Sequence, residues 1–292
     1  MQKTASSVSE ARNWFAQGVR AAAPVHHNLA IVEAFAKVPR EHYLGDGPWF
    51  IQPRMLDRPK YMSPTAEPHH VYHDVLVSFD QARELNNGLS SLWAFYFDQL
   101  RITPGQTILQ VGAGVGYFTA ILAELVTPQG RVVAYEVDEA LASRAAANLD
   151  AYPNVEVICG DATQATDLPL FDVGVVFAGA AHVPTTWLSS LSPSGRITIP
   201  ITGDDQWGFM LLLENEQDKV YPSSLGACGF YHCAGARTAH EAKSLGKALE
   251  SSDRAVPHLD QLLLGQPPAG DDSAWYVGDG FWLSKEACAT RR

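Results

Sequence analysis

The stretch Gly112-Ala113-Gly114-Val115-Gly116-Tyr117 stands between a run that reads as a strand, 107–111, and one that reads as a helix, 117–125. Glycines at such a junction let the backbone turn sharply and approach a ligand, which the unpaired N–H groups of the helix start then face. Two acids fall where an adenosine would need them. Glu136 closes the next strand, 131–136, from which a carboxylate accepts hydrogen bonds from both ribose hydroxyls. Asp161, in Cys159-Gly160-Asp161-Ala162, closes the strand after that and could accept from an adenine amino group. It would equally suit a turn or a helix N-cap. The dinucleotide fingerprint asks for its third glycine at 117, where the chain has Tyr117, and this disfavours a nicotinamide-dependent dehydrogenase. An aromatic ring beside the loop suits a cationic sulfonium ligand, and it also suits core packing.

These residues need a frame, and an alternation of strands and helices from about 90 to 214 supplies one. Helices are predicted at 91–100, 117–125, 139–149 and 185–191, and strands at 107–111, 131–136, 155–159, 173–177, 196–201 and 209–213. That rhythm predicts an α/β fold with a Rossmann-like, doubly wound, mostly parallel sheet and ligands at the carboxyl ends of its strands. Residues 1–85 read as a helical and irregular cap, 86–214 as the cofactor-binding domain and 215–292 as a C-terminal extension. In the cap, Leu29, Ile31, Val32, Ala34, Phe35 and Ala36 predict a helix over 28–37, stopped by Val38-Pro39. The segment 45–73, with Pro48, Pro53, Pro59, Pro64 and Pro68, reads as irregular chain packed over something else. In the extension, 239–249 and 256–264 read as helices, 265–272 as a loop and 275–283 as an edge strand.

The totals bound the partners. With 292 residues, 46% of them hydrophobic and 18% charged, the chain has the composition of a folded globular protein. A formal net charge of −11 repels phosphate backbones and anionic membranes, so neither nucleic acid nor a membrane is expected as a partner. The first residues carry no signal-peptide pattern and no long apolar run follows, so a cytoplasmic protein is expected. Cys159, Cys228, Cys233 and Cys288 are scattered in the manner of reduced thiols. Cys228 and Cys233 would make half of a zinc site, but no second pair follows and no metal is expected.

The spacing of Gly112, Gly114 and Gly116, with Glu136 and Asp161, resembles the cofactor site of class I S-adenosylmethionine methyltransferases. Within that class the chain resembles the protein-L-isoaspartate O-methyltransferase family over roughly 38–200. The shared motifs are Val38-Pro39-Arg40-Glu41 with Tyr43, the loop at 111–119, Gly160-Asp161, Phe171-Asp172-Val173, and Gly195-Arg196 followed by Ile199-Pro200. The resemblance implies S-adenosyl-L-methionine as cofactor, held by Gly112, Gly114, Gly116, Glu136 and Asp161. Ala113, Tyr117, Val137, Ala162 and Ala178 are counted among its contacts, and 178–184 as the rim beside the methyl group. It further implies methylation of an aspartyl or isoaspartyl carboxylate in a peptide or protein.

Two departures matter. The family carries a Ser-x-Pro element shortly before the first strand of the sheet, where this chain has Gly88-Leu89-Ser90. Ser90 or Ser91 could substitute from one turn away, or Asn86 and Asn87 could bind an acceptor through their amides. As plain structure, Asn-Asn-Gly is a turn with Ser90 as the N-cap of the next helix. The second departure is His182, in Ala180-Ala181-His182-Val183-Pro184, which could take a proton from an amine or hydroxyl acceptor, hydrogen-bond a carboxylate, or serve structure alone. His182, Ser90 and Asn87 are the candidate acceptor-side residues. Methyl transfer is an in-line displacement that mainly requires positioning, and a carboxylate acceptor is already ionised at neutral pH, whereas an amine or alcohol needs a base. The missing serine and the unmatched extension leave open a small molecule or a dedicated natural-product peptide as acceptor. A non-catalytic adenosyl-binding module is the reading from another class.

Overall fold

A helix with one apolar stripe must lay that stripe on something, and the first helices of this chain cover one another. In the computed structural model, which describes residues 2–54, 58–217, 219–251, 256–278 and 280–285, the chain begins with α1 (Gln2–Ala22), α2 (Ala30–Lys37) and α3 (Arg40–Leu44). Four residues of the predicted stripe, Ile31, Val32, Ala34 and Phe35, form the buried face of α2, while Leu29, expected among them, precedes the helix and is exposed; Phe15 of α1 meets Phe35 edge-on at 6.2 Å. The helix ends at Val38, whose extended backbone (ψ 118°) is what a following proline enforces.

The chain forms two compact units: Met1–Gln106, Ala113–Ala134 and Asp138–Cys159 make the first, and Thr107–Gly112, Tyr135–Val137 and Gly160–Arg292 the second. In the first unit the proline-rich segment is more ordered than its sequence predicts. It contributes β1 (Phe50–Gln52) and β2 (Tyr61–Met62), which join β3 (Leu76–Asp80) and β4 (Leu85–Asn86) in a four-stranded sheet of order β2-β1-β3-β4. Strands of two or three residues carry too little alternation to be read as strands. The sheet closes over Leu44, Trp49, Ile51, Val71 and Val77. Beneath it lies a fully buried arginine. Arg40 donates through Nη1 to the carbonyls of Val71 (2.7 Å) and His73 (2.8 Å), and through Nη2 to Val75 O (2.7 Å) and Asn87 Oδ1 (3.1 Å). Burial pulls its guanidinium below the ordinary value, opposed by Tyr117 and Asp74. α4 (Ser90–Gln99) follows, and its buried Asp98 accepts from the backbone N–H groups of His26, His27 and Asn28 at 2.8–2.9 Å, satisfying the chain between α1 and α2.

The predicted alternation comes next: β5 (Thr107–Val111), α5 (Tyr117–Val126), β6 (Arg131–Glu136), α6 (Glu139–Asn148), β7 (Val155–Cys159), β8 (Phe171–Val176), α7 (Thr185–Ser189), β9 (Leu191–Thr202) and β10 (Trp207–Glu216), followed by a strand the sequence reading lacks, β11 (Lys219–Gly229). The seven strands form one mostly parallel sheet of order β11-β10-β9-β8-β5-β6-β7. β5 pairs with β8 (Val111 opposite Val176) and β8 with β9, both parallel, and their nearly unbroken burial is that of strands covered on both faces. β10 and β11 are antiparallel, because only residues 203–206 separate β9 from β10 and so short a link cannot cross over. The domain boundary expected after 214 therefore falls inside β10, and β11 extends the same sheet.

Beyond the sheet lie α8 (Ala239–Ser251) and a three-stranded antiparallel sheet of β12 (Leu259–Leu264), β13 (Ala274–Val277) and β14 (Phe281–Lys285), in the order β12-β14-β13. The helix expected over 256–264 is thus a strand. Leu259 and Leu262, three residues apart as on a helix, both face inward because the register shifts between them, where a bulge adds a residue. The single edge strand expected over 275–283 is a pair, β13 and β14. Among the described residues no helix is long and apolar enough to cross a membrane.

Candidate active site

The chain order reverses at β5: β6 and β7 lie to one side of it in the sheet, β8 and β9 to the other. Such a switch point opens a crevice at the carboxyl ends of the strands, and the glycine loop begins there. Gly112 has φ 88°, its N–H donates to Tyr135 O at 2.8 Å, and a Cβ added to it would meet the Cβ of Phe177 at 3.3 Å. Only glycine adopts that backbone without strain. Glu136, at the end of β6, is 8% exposed, and its carbonyl accepts from Gly160 N–H at 2.9 Å. Val137 beside it is 56% exposed, an apolar surface of the kind a purine ring covers.

Asp161 is a turn residue as well as a candidate ligand. Its Oδ1 accepts from Thr163 N–H at 2.9 Å, and its side chain packs against Gly235, where an added Cβ would lie 2.3 Å from Oδ2. Ala162 is buried, and its carbonyl accepts from the Trp187 indole at 3.1 Å. Ala178 is half-buried, one residue past Phe177, whose N–H donates to Val111 O at 2.8 Å.

Within the first unit, the rest of the loop is pinned by α6. Asn148 Nδ2 donates to Val115 O at 2.8 Å, and Gly116, at φ 91°, forms the start of α5 with Leu149 so close that a Cβ would sit 2.8 Å from its Cδ1. Tyr117 requires a correction. Its ring is a core element, packed against Phe35 (6.3 Å), Tyr43 (5.6 Å) and Phe118 (5.1 Å), with the Arg40 guanidinium 5.9 Å from its centroid. The cation served by this ring is therefore Arg40 and not a sulfonium. Burial also raises the phenol's pKa, so it stays protonated.

The acceptor-side candidates fall into two environments. Asn87 is buried, and its Oδ1 accepts from Arg40 Nη2 and from Val77 N–H (3.0 Å). Ser90 is fully buried, its hydroxyl beside that of Tyr117 without a well-formed hydrogen bond. Ser90 is not an N-cap: Leu89 holds that position, and the capping oxygens come from Asp74, which accepts from Ser91 N–H (2.9 Å) and Ser91 Oγ (2.6 Å). Asn86 Oδ1 accepts from Gly88 N–H at 2.9 Å, closing the Asn-Asn-Gly turn. His182, in the second unit, is 19% exposed at its side chain and pairs through Nδ1 with Oε2 of Glu241 at 2.9 Å. The sequence reading passed over Glu241. Its signal was present in Thr238-x-x-Glu241, a capping box at the start of α8.

Cys228 and Cys233 are buried, and burial pushes both thiols up to about 12, helped at Cys233 by Asp161. Cys159 is exposed, and Cys288 lies outside the described residues. Native protein treated with iodoacetamide at neutral pH is therefore expected to carry the label on Cys159, while Cys228 and Cys233 react only after denaturation, as peptide mass spectrometry would show. Labelling of either buried cysteine in the native protein would contradict their placement.

The fold is the doubly wound α/β fold of class I methyltransferases. A solved protein-L-isoaspartate O-methyltransferase superposes with a TM-score of 0.64 at 19% identity, over 96% of this chain and 88% of that one. A second, from Plasmodium falciparum in complex with S-adenosyl-L-homocysteine, gives 0.59 at 18% identity, over 76% and 97%. Residues 50–235 match the protein-L-isoaspartate(D-aspartate) O-methyltransferase family, and the chain belongs to it. Among curated relatives, protein-L-isoaspartate O-methyltransferase of Thermotoga maritima is 29% identical over 59% of this chain, and its counterpart 2 of Archaeoglobus fulgidus is 34% identical over 47%. The chain spans 50% and 64% of the lengths of those two relatives. It spans 85% of the Methanothermobacter thermautotrophicus enzyme, at 27% identity over 69% of this chain.

Proposed function

We propose that this chain is a cytoplasmic enzyme that uses S-adenosyl-L-methionine to methylate isoaspartyl carboxylates in peptides or proteins. The observation that carries the reading is the left-handed glycine turn at the end of β5, Gly112 at 88°, with the buried Glu136 at the end of the following strand. Membership of the family supports the same acceptor. The residues present suit the cofactor: backbone N–H groups of the loop for its amino-acid end, Glu136 for the ribose hydroxyls, the face of Val137 and the Asp161 turn for the adenine. When bound, the cofactor supplies a methyl carbon already activated by a sulfonium. The rim at 178–184 then has to hold a carboxylate oxygen in line with that carbon, at about 3 Å, and keep water away.

Incubation with tritium-labelled cofactor and an isoaspartyl peptide should give a base-labile methyl ester on that peptide and none on its aspartyl isomer. The burial of Asn87 and Ser90 favours one second reading, in which a small molecule or a dedicated peptide is the acceptor. Label on another acceptor, with the isoaspartyl peptide unlabelled, would select it. Calorimetric binding of S-adenosylhomocysteine without transfer to any acceptor would leave an adenosyl-binding module.

A further inference from the structure

The chain at the end of the family match, and just past it, closes on the rim. Gly179 N–H donates to Tyr231 O (2.6 Å) and Cys233 N–H to Gly179 O (2.9 Å), while Ala181 N–H donates to Ala236 O (2.8 Å). Arg237 donates to the carbonyls of Gly179 (2.8 Å) and Gly203 (2.9 Å), and Tyr276 OH to that of Ala181 (2.6 Å). Residues 231–236 therefore run beside 179–181 through an isolated parallel bridge, Gly179 opposite His232, and an arginine and a tyrosine hold the rim carbonyls.

The helix that follows carries the second part. Glu241 stands in the first turn of α8, and its carboxylate is only 5% exposed. Three donors converge on one oxygen, Oε2: Thr238 N–H at 2.8 Å, Thr238 Oγ at 2.9 Å and His182 Nδ1 at 2.9 Å. A capping box needs the first of these and the return bond from Glu241 N–H to Thr238 Oγ1, which is also made (3.2 Å). It has no need of a histidine 59 residues away. Because a carboxylate only accepts, Nδ1 must carry the hydrogen, which fixes the orientation of the ring. Nε2 has no hydrogen-bond partner among the described residues and is the nitrogen left for a ligand.

We infer that Glu241 is a positioning residue that holds His182 so that Nε2 meets the acceptor carboxylate at the 178–184 rim, a contact of the kind made by the family's serine, in place of which this chain has Gly88-Leu89-Ser90. An Nε2–H donating to one carboxylate oxygen leaves the other free to attack the methyl carbon, while Glu241 keeps its bond to Nδ1. The inference rests on the methyl-transfer reading above and deepens it at the acceptor.

The test compares wild type with His182→Ala, Glu241→Ala, Glu241→Gln and, on the exposed side of the same helix, Lys247→Gly, which weakens α8 without reaching His182. KM for an isoaspartyl peptide should rise about tenfold in His182→Ala and Glu241→Ala, the loss of one hydrogen bond to a charged group. The Kd for S-adenosylhomocysteine should stay at the wild-type value in both. Glu241→Gln keeps an acceptor for Nδ1–H and should recover most of the loss, and Lys247→Gly should match wild type. Nitrogen-15 spectra should show the Nδ1-protonated ring of His182 in wild type, assigned by its absence in His182→Ala, and its loss in Glu241→Ala. Equal KM increases in Glu241→Ala and Lys247→Gly would reduce Glu241 to a helix cap and overturn the inference. Parallel weakening of S-adenosylhomocysteine, or an unaltered His182 signal in Glu241→Ala, would also overturn it. A wild type that ignores the peptide while Glu241→Ala still releases the ring would refute the acceptor and leave the pairing standing, which separates the two failures.

Discussion

Glu136→Gln is expected to weaken S-adenosylhomocysteine binding about a hundredfold, close to 2.8 kcal/mol, as measured by calorimetry. On the proposed reading, the carboxylate at the end of β6 offers its two oxygens to two ribose hydroxyls, and hydrogen bonds to a charged acceptor contribute about 1.5–3 kcal/mol each. Glutamine has the same shape but one carbonyl oxygen and no charge, so one bond is lost and the other weakened. Unchanged affinity would remove Glu136 from the site and take the ribose assignment with it.

Arg40→Met is expected to cost about 3–5 kcal/mol of stability, the range for removing one partner from a buried charged network. Methionine fills a similar volume, yet it leaves the carbonyls of Val71, His73 and Val75 and the Oδ1 of Asn87 without the donors that now lie 2.7–3.1 Å away. It also removes the cation from the Phe15 and Tyr117 rings. Arg40→Lys should recover little, because an ammonium cannot reach three carbonyls spread along residues 71–75 as the guanidinium fork does. Urea titration followed by circular dichroism gives the value. A loss under 1 kcal/mol would mean that water replaces the guanidinium, contrary to the complete burial of the site. Because Asn87 is held by the same arginine, the variant also tests whether Asn87 belongs to structure or to the acceptor.

The corrected expectations share one cause. Tyr117 follows the glycine loop directly, and a ring there reads as a ligand contact. What turned it inward was Arg40, many residues upstream, together with Phe35 and Tyr43. Ser90 has the residue type of an N-cap, but Asp74, brought in by the chain before β3, supplies the acceptors instead. The leucines of 259–264 are spaced as on a helix, and only pairing with β14 across a bulge makes a strand of them.

By itself the sequence determined the alternating strands and helices, the left-handed bend at Gly112 and Gly116, and the carboxylate closing β6. Each is local: hydrophobic period, backbone sterics and position at a strand end act within a few residues. Only the tertiary structure decided that Tyr117 packs on Arg40, that Asn87 and Ser90 are buried, and that Glu241 reaches His182. Those outcomes depend on which distant side chains share one low-dielectric space, where a buried polar group must find a partner, and no spacing along the chain states that partner's name.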